Sequence, residues 1–184
     1  MKGKLVAVSG PSGVGKGTIV KSLVKKRADV VESISCTTRL PREGETHGKE
    51  YFFITREEFQ KRIEQKDFLE YDEHFGNFYG TPKSFVKEML ESGKSVILEI
   101  DVVGALLAKE TFPNCVLVMI VPPSIEELER RLRQRNTETD EEIKHRLARL
   151  EYELSQKDKY DYVIVNDCLE DAIAKLENVI DGNV

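Results

Sequence analysis

A layered α/β fold built around a parallel sheet is what this sequence predicts, and three observations carry the prediction. Five short apolar runs, at residues 5–8, 30–34, 96–100, 116–121 and 162–165, alternate with helical patterns. The runs are continuous and rich in β-branched residues, as strands covered on both faces are, and strands separated by helices belong to a parallel sheet. At 184 residues with a 40% hydrophobic share, the chain has material for one good core and too little for two.

The elements follow in order. Strand 5–8 runs into the glycine-dense stretch S-G-P-S-G-V-G-K-G-T, after which a helix is expected from near Thr18. Strand 30–34 leads to a region that breaks the alternation. It holds a charged loop (T-T-R-L-P-R-E-G-E-T-H-G-K-E), a short apolar piece at 51–54, a helix from Thr55, and the aromatic stretch D-F-L-E-Y-D-E-H-F-G-N-F-Y-G. Gly76-Asn77 is a turn signal between two antiparallel strands. The region 35–81 is therefore read as a small mixed α/β lobe inserted into a core of residues 1–34 and 82–184, all one domain. Thr81-Pro82 marks a helix start, with proline expected at the first helical position. Ser124 with Glu127, and Thr139 with Glu142, have the spacing in which hydroxyl and carboxylate satisfy a helix's first backbone amides. The last helix, 169–180, puts Leu169, Ile173, Leu176 and Ile180 on one face.

Charge and cysteine content exclude several classes. Lys and Arg total 28 against 33 Asp and Glu, and a net charge of -5 argues against a general nucleic-acid coat or a membrane-surface protein. Cys36, Cys115 and Cys168 have no metal-ligand spacing and read as reduced thiols of a cytoplasmic protein. No apolar run is long enough to span a bilayer. The three histidines are scattered and carry no assignment.

The glycine stretch carries the chemistry. Gly10, Gly15 and Lys16 fit G-x-x-x-x-G-K between a strand and a helix, a turn that aims backbone N–H groups and the positive end of a helix at one spot. Its expected ligand is a chain of phosphates, held by Gly10, Pro11, Ser12, Gly13, Val14, Gly15, Lys16, Gly17 and Thr18, with Lys16 as a point charge. Gly17 stands where the motif ordinarily has the hydroxyl residue that takes Mg²⁺, and Thr18 lies about 100° further round the helix. Mg²⁺ keeps several waters and leans on substrate phosphates, so the site still works with no protein ligand assigned directly. Phosphoryl transfer also needs arginines on the moving group. Arg131 and Arg135 are four apart on one helix face, and Arg146 follows a polar turn, so residues 125–148 read as a movable lid.

With those segments in view, the chain resembles the guanylate kinase family over nearly its full length. The likeness rests on G-P-S-G-V-G-K-G-T, S-C-T-T-R-L-P-R-E-G-E-T-H-G-K-E-Y, F-L-E-Y with G-N-F-Y-G-T, L-E-I-D, P-P-S-I-E-E-L with R-L-R-Q-R, and V-I-V-N-D. The resemblance implies a P-loop nucleoside monophosphate kinase fold whose glycine loop holds ATP, whose inserted lobe binds GMP, and whose lid supplies arginines. It implies that Arg39, Arg42, Tyr51 and Tyr79 hold the GMP phosphate, that Ser35, Glu70 and Thr81 read the base, and that Glu45, Glu99 and Asp101 have lesser parts. Lys16, Arg39, Arg131, Arg135 and Arg146 are the implied catalytic set. Mg²⁺ is the implied cofactor, with Asp101 near it, and ATP and GMP are the implied partners of a monomer or weak homodimer.

The chemistry of these residues stands beside the likeness. A phosphate monoester suits planar bidentate donors, which Arg39 and Arg42 supply. Guanine offers N1–H and an amine beside an O6 acceptor, so a carboxylate with a hydroxyl matches it, whereas adenine would leave the carboxylate unpaired. Two alternatives stay open: a non-catalytic phospholigand-binding module of the same fold, and a kinase of another small phosphorylated acceptor. The intact Lys16 loop argues against the first, and the base-reading trio against the second.

Overall fold

The computed structural model describes residues 3–74, 76–134 and 140–183, the side chains of residues 74, 131, 134 and 140–146 excepted. The chain runs β1 (Leu5–Ser9), α1 (Lys16–Lys26), β2 (Val30–Glu32), β3 (Cys36–Thr37), β4 (Phe52–Phe53), α2 (Arg56–Glu64), β5 (Phe68–His74) and β6 (Asn77–Pro82). It continues through α3 (Lys83–Glu91), β7 (Ser95–Glu99), α4 (Val102–Thr111), β8 (Val116–Val121), α5 (Ile125–Gln134), α6 (Asp140–Ser155), β9 (Tyr162–Val165) and α7 (Leu169–Asp181).

All five apolar runs enter one sheet of order β2-β7-β1-β8-β9, and every pairing in it is parallel. The period-2 geometry of a strand splits the runs of β1, β7 and β8 between two cores, whereas edge strand β9 buries Ile164 on one face and leaves Val163 and Val165 exposed on the other. Val6 and Val8 face Ile19 and Leu23 of α1, Leu128 of α5, Leu150 of α6 and Leu176 of α7. Leu5 and Ala7 face Val86 of α3 and Ala105 and Ala108 of α4. Burial on both faces is why the three central runs are continuous.

Residues 36–82 form a second sheet, β4-β3-β6-β5, in which only β3 and β4 are parallel. Phe59 of α2 holds it, stacked on Phe68 at 4.3 Å and on Phe78 at 5.3 Å between ring centroids.

Several boundaries differ from the sequence expectation. Helix α1 begins at Lys16 rather than Thr18, because Gly15 caps it in the left-handed region at φ 99°. Pro82 ends β6 and caps α3 with extended backbone instead of opening the helix. Asn77 already pairs with His74, so it belongs to the strand, and Gly76, at φ 73°, lies in the turn. The second run keeps strand geometry only to Glu32. The hydroxyls of Thr55 and Ser124 accept from the amides of Glu58 and Glu127 at 3.1 and 3.2 Å. The Thr139 cap lies outside the described residues. No described helix is long and apolar enough to cross a membrane.

Candidate active site

The carboxyl ends of β1, β7 and β8 open on the glycine loop, the edge at which parallel sheets hold ligands. Gly10 has φ 138°, and a Cβ there would stand 2.1 Å from the carbonyl oxygen of Ile120, so the loop lies flat on β8. Val14 is wholly buried beneath it. Its carbonyl accepts from Asn166 Nδ2 at 2.7 Å, while the Asn166 amide donates to Val121 O at 2.8 Å. Asn166 thereby fastens the loop to the sheet. Lys16 Nζ donates to the carbonyls of Gly10 at 2.6 Å and Pro11 at 3.0 Å, which lays the cation along the loop.

Gly17 has a structural reason. A Cβ there would meet both carboxylate oxygens of Glu99, at 3.2 and 3.3 Å. The missing side chain lets an acid at the end of β7 come up to the helix N-terminus.

Two cavities meet at this strand end. One, of about 540 Å³, is bounded by Gly10, Ser12 and Lys16 of the loop, by Glu99, Ile100 and Asp101, and by Arg149 and Glu153 of α6. The other, of about 460 Å³, shares Glu99, Ile100 and Asp101 and adds Ser35, Tyr51, Glu70 and Tyr79 from the second sheet's side. Both are of ordinary small-ligand size. Thr18 lines a smaller recess with Gly15 and Gly17.

Behind the second cavity's Glu70 and Ser35, the wholly buried Thr81 donates through Oγ1 to Glu70 Oε1 at 2.7 Å and lies 3.3 Å from Ser35 Oγ. Burial pushes the Glu70 carboxyl above the ordinary carboxylate range; the Thr81 bond opposes this and the Asp101 charge adds to it. A second cluster centres on Arg39, whose fork grips Glu45 with both bonds at 2.9 Å. Its guanidinium lies 5.6 Å from the Tyr51 ring, which meets Tyr79 edge-on at 5.9 Å. Arg42 contributes its backbone amide to Glu45 at 2.7 Å, its side chain being exposed. Arg39 first, then the Arg42 amide, hold the Glu45 carboxyl below the ordinary range.

Asp101 has divided duties. Its Oδ1 accepts from the Gly104 amide at 2.8 Å and caps α4, while Oδ2 lies 3.9 Å from Arg149. Glu32 sits beside Glu99, and burial, then that charge, raise its carboxyl. Beneath the loop the hydroxyls of Ser9 and Tyr160 share a short hydrogen bond. Of the expected lid arginines, Arg135 lies outside the described residues, and Arg131 and Arg146 are placed on α5 and α6 with their side chains outside the described set.

Sequence reasoning assigned no role to Asn166, Arg149 or Glu153. Asn166 ends the V-I-V-N-D segment directly after a parallel strand, which was the available signal. Arg149 and Glu153 are four apart on α6, a spacing that any solvated helix face also shows.

The sequence profile described as Guanylate kinase matches residues 2–183. The chain belongs to the guanylate kinase family. A guanylate kinase of Clostridium perfringens (strain 13 / Type A) is 50% identical over 97% of this chain and 83% of its own length. One of Synechocystis sp. is 46% identical over 98% of this chain and 94% of its own. The solved guanylate kinase structure from Anaplasma phagocytophilum matches with a TM-score of 0.74 at 35% identity, covering 98% of this chain and 86% of that one. As in the sequence expectation, the guanylate kinase fold is an α/β P-loop kinase fold, here a parallel sheet between helices with a mixed sheet beside it.

Proposed function

We propose that this chain moves the γ-phosphoryl group of ATP to GMP, and to dGMP, giving ADP and the nucleoside diphosphate by direct in-line transfer. The observation that carries the reading is the wall shared by two cavities, one edged by a phosphate-type loop with its lysine and the other by the Glu70 carboxylate and the Ser35 hydroxyl. A donor and an acceptor bound on either side of Glu99 to Asp101 meet without a covalent enzyme intermediate, so positioning and charge neutralisation carry the rate.

The loop from Gly10 to Thr18 binds the donor phosphates, and Lys16 neutralises them. Glu70 accepts N1–H and the exocyclic amine of guanine. Since Thr81 spends its proton on Glu70, Ser35 is the hydroxyl that donates to O6. Arg39 and Arg42, with Tyr51 and Tyr79, take the acceptor phosphate, and Glu45 keeps the planar Arg39 fork aimed. The region 35–81 acts as the acceptor lobe, and 125–148 as a lid bringing Arg131, Arg135 and Arg146 to the moving group. The hard carboxylate oxygens of Glu99 against the bare backbone of Gly17 suit Mg²⁺, which needs few protein ligands. Glu99 would hold it through water, with Asp101 near; the ion supplies neutralisation of the phosphates. Three unpaired cysteines, Cys168 among them exposed, accord with a reducing cytoplasm.

Coupled measurement of ADP release with ATP and each nucleoside monophosphate tests the reading. Turnover is expected with GMP and dGMP and about a hundredfold less with AMP, CMP or UMP. Comparable use of all acceptors, or no ADP release at all, would overturn it.

A further inference from the structure

We infer that Arg149 is a phosphate-binding residue of the donor cavity, a second described cation beside Lys16. Three observations lead there. The first is its place: with Lys16, it is one of the two cations among the described residues that line the cavity edged by Gly10 and Ser12. Glu99, Asp101 and Glu153 line the same space. A polyphosphate entering beside three acids needs more positive charge than one lysine gives, since like charges in a partly enclosed site repel strongly.

The second is the looseness of its present pairing. The guanidinium stands 3.9 Å from Asp101 Oδ2 and 4.0 Å from Glu153 Oε1, with its side chain 66% exposed. Those are ion pairs at the outer limit of contact, beyond hydrogen-bond length. Arginines with structural work are gripped far more closely here: Arg27 by Asp29 at 2.7 Å, and Arg130 by Glu127 at 2.7 Å. The donors of Arg149 are therefore not tied up by its two acids.

The third is that both acids are held in place, Asp101 by a hydrogen bond and Glu153 by burial. Asp101 caps α4 through Oδ1, and the Glu153 side chain is only 10% exposed. They hold the guanidinium near the cavity mouth without following it. A planar fork so placed exchanges two loose carboxylate pairs for short charge-assisted bonds to phosphate oxygens.

This inference rests on the reading of the glycine loop as the donor site, and the test separates the two. Equilibrium binding of ATP, AMP and GMP, each alone, is measured for the native protein and for Arg149→Met, Arg149→Lys and Lys16→Met. Arg149→Met is expected to weaken ATP about tenfold or more, leave AMP and GMP within about twofold, and lower kcat; Arg149→Lys should recover part of the ATP affinity. Native-like ATP affinity and kcat in Arg149→Met, with ATP lost in Lys16→Met, would overturn the role of Arg149 and leave the donor site standing. Undiminished ATP binding in Lys16→Met would overturn both. A parallel loss of AMP or GMP with ATP, accompanied by a lower Tm, would make Arg149 a structural residue of α6 and overturn the inference.

Discussion

Glu70 shows what a single side chain contributes and what it costs. Burial and the Asp101 charge disfavour its ionised form, yet the proposed base recognition requires that form. Glu70→Gln turns one acceptor oxygen into a donor facing guanine's own donors. Hydrogen bonds to charged groups contribute about 1.5–3 kcal/mol, so kcat/KM for GMP should fall at least tenfold. IMP lacks the amine and should already be a poor substrate, less affected by the substitution. Equal native use of GMP and IMP in steady-state assays would place base recognition elsewhere. At this scale the sequence is informative where chemistry is specific: a carboxylate beside hydroxyls in F-L-E-Y and G-T matches one kind of base edge. It is silent about Arg149, because an exposed helical arginine reads the same whether it meets a phosphate or water. Asp101 falls between these cases, since an aspartate at a strand end before V-V-G is also an ordinary helix cap.

Between elements, the glycine loop depends on a bond from the far edge of the sheet. Asn166 follows β9 and reaches the Val14 carbonyl, joining positions 152 apart in the chain. Asn166→Ala would strand that carbonyl beneath the loop, at a cost of about 1–3 kcal/mol. The expected result in denaturation and binding experiments is lower stability and weaker ATP affinity with GMP affinity kept. Unchanged ATP affinity would show that the loop holds its shape without the bond. The three central strands of the parallel sheet are legible because burial on both faces leaves continuous apolar runs, and edge strand β9 is legible because its exposed face also carries valines, Val163 and Val165. The two-residue strands β3 and β4 are not, since neither is long enough to show a period, and β3 takes its place by pairing with β6 on one side and β4 on the other. Gly15 hides the start of α1 in the same way: the left-handed cap is a backbone property that the glycine permits and does not announce.

Across the whole molecule, the acids that build the site oppose the folding that buries them. The fold class follows from local pattern, but the shared wall between the cavities joins Asp101 of one sheet's edge to Glu70 of the other sheet, and no local pattern encodes that meeting. Its electrostatic consequence is testable. The carboxyls of Glu70 and Glu153 are both raised, burial being the leading cause in each. The folded state therefore holds more protons than the unfolded chain just above the ordinary carboxylate range, and stability must fall as pH rises through that window. Asp29 works in the opposite sense: Arg27 holds its carboxyl down to about 2, so its contribution is present above the ordinary range and is lost as pH falls from that range toward about 2. Denaturant titrations should accordingly give a stability that declines as pH rises just above the ordinary carboxylate range, and Glu70→Gln with Glu153→Gln should flatten that decline and raise Tm near neutrality, by about 2–4 °C for each kcal/mol recovered. The double variant should also lose GMP turnover, because the carboxylate that destabilises the free protein is the one proposed to read the base. A slope unchanged by the two substitutions would locate the proton uptake in other groups and remove the link between stability and recognition.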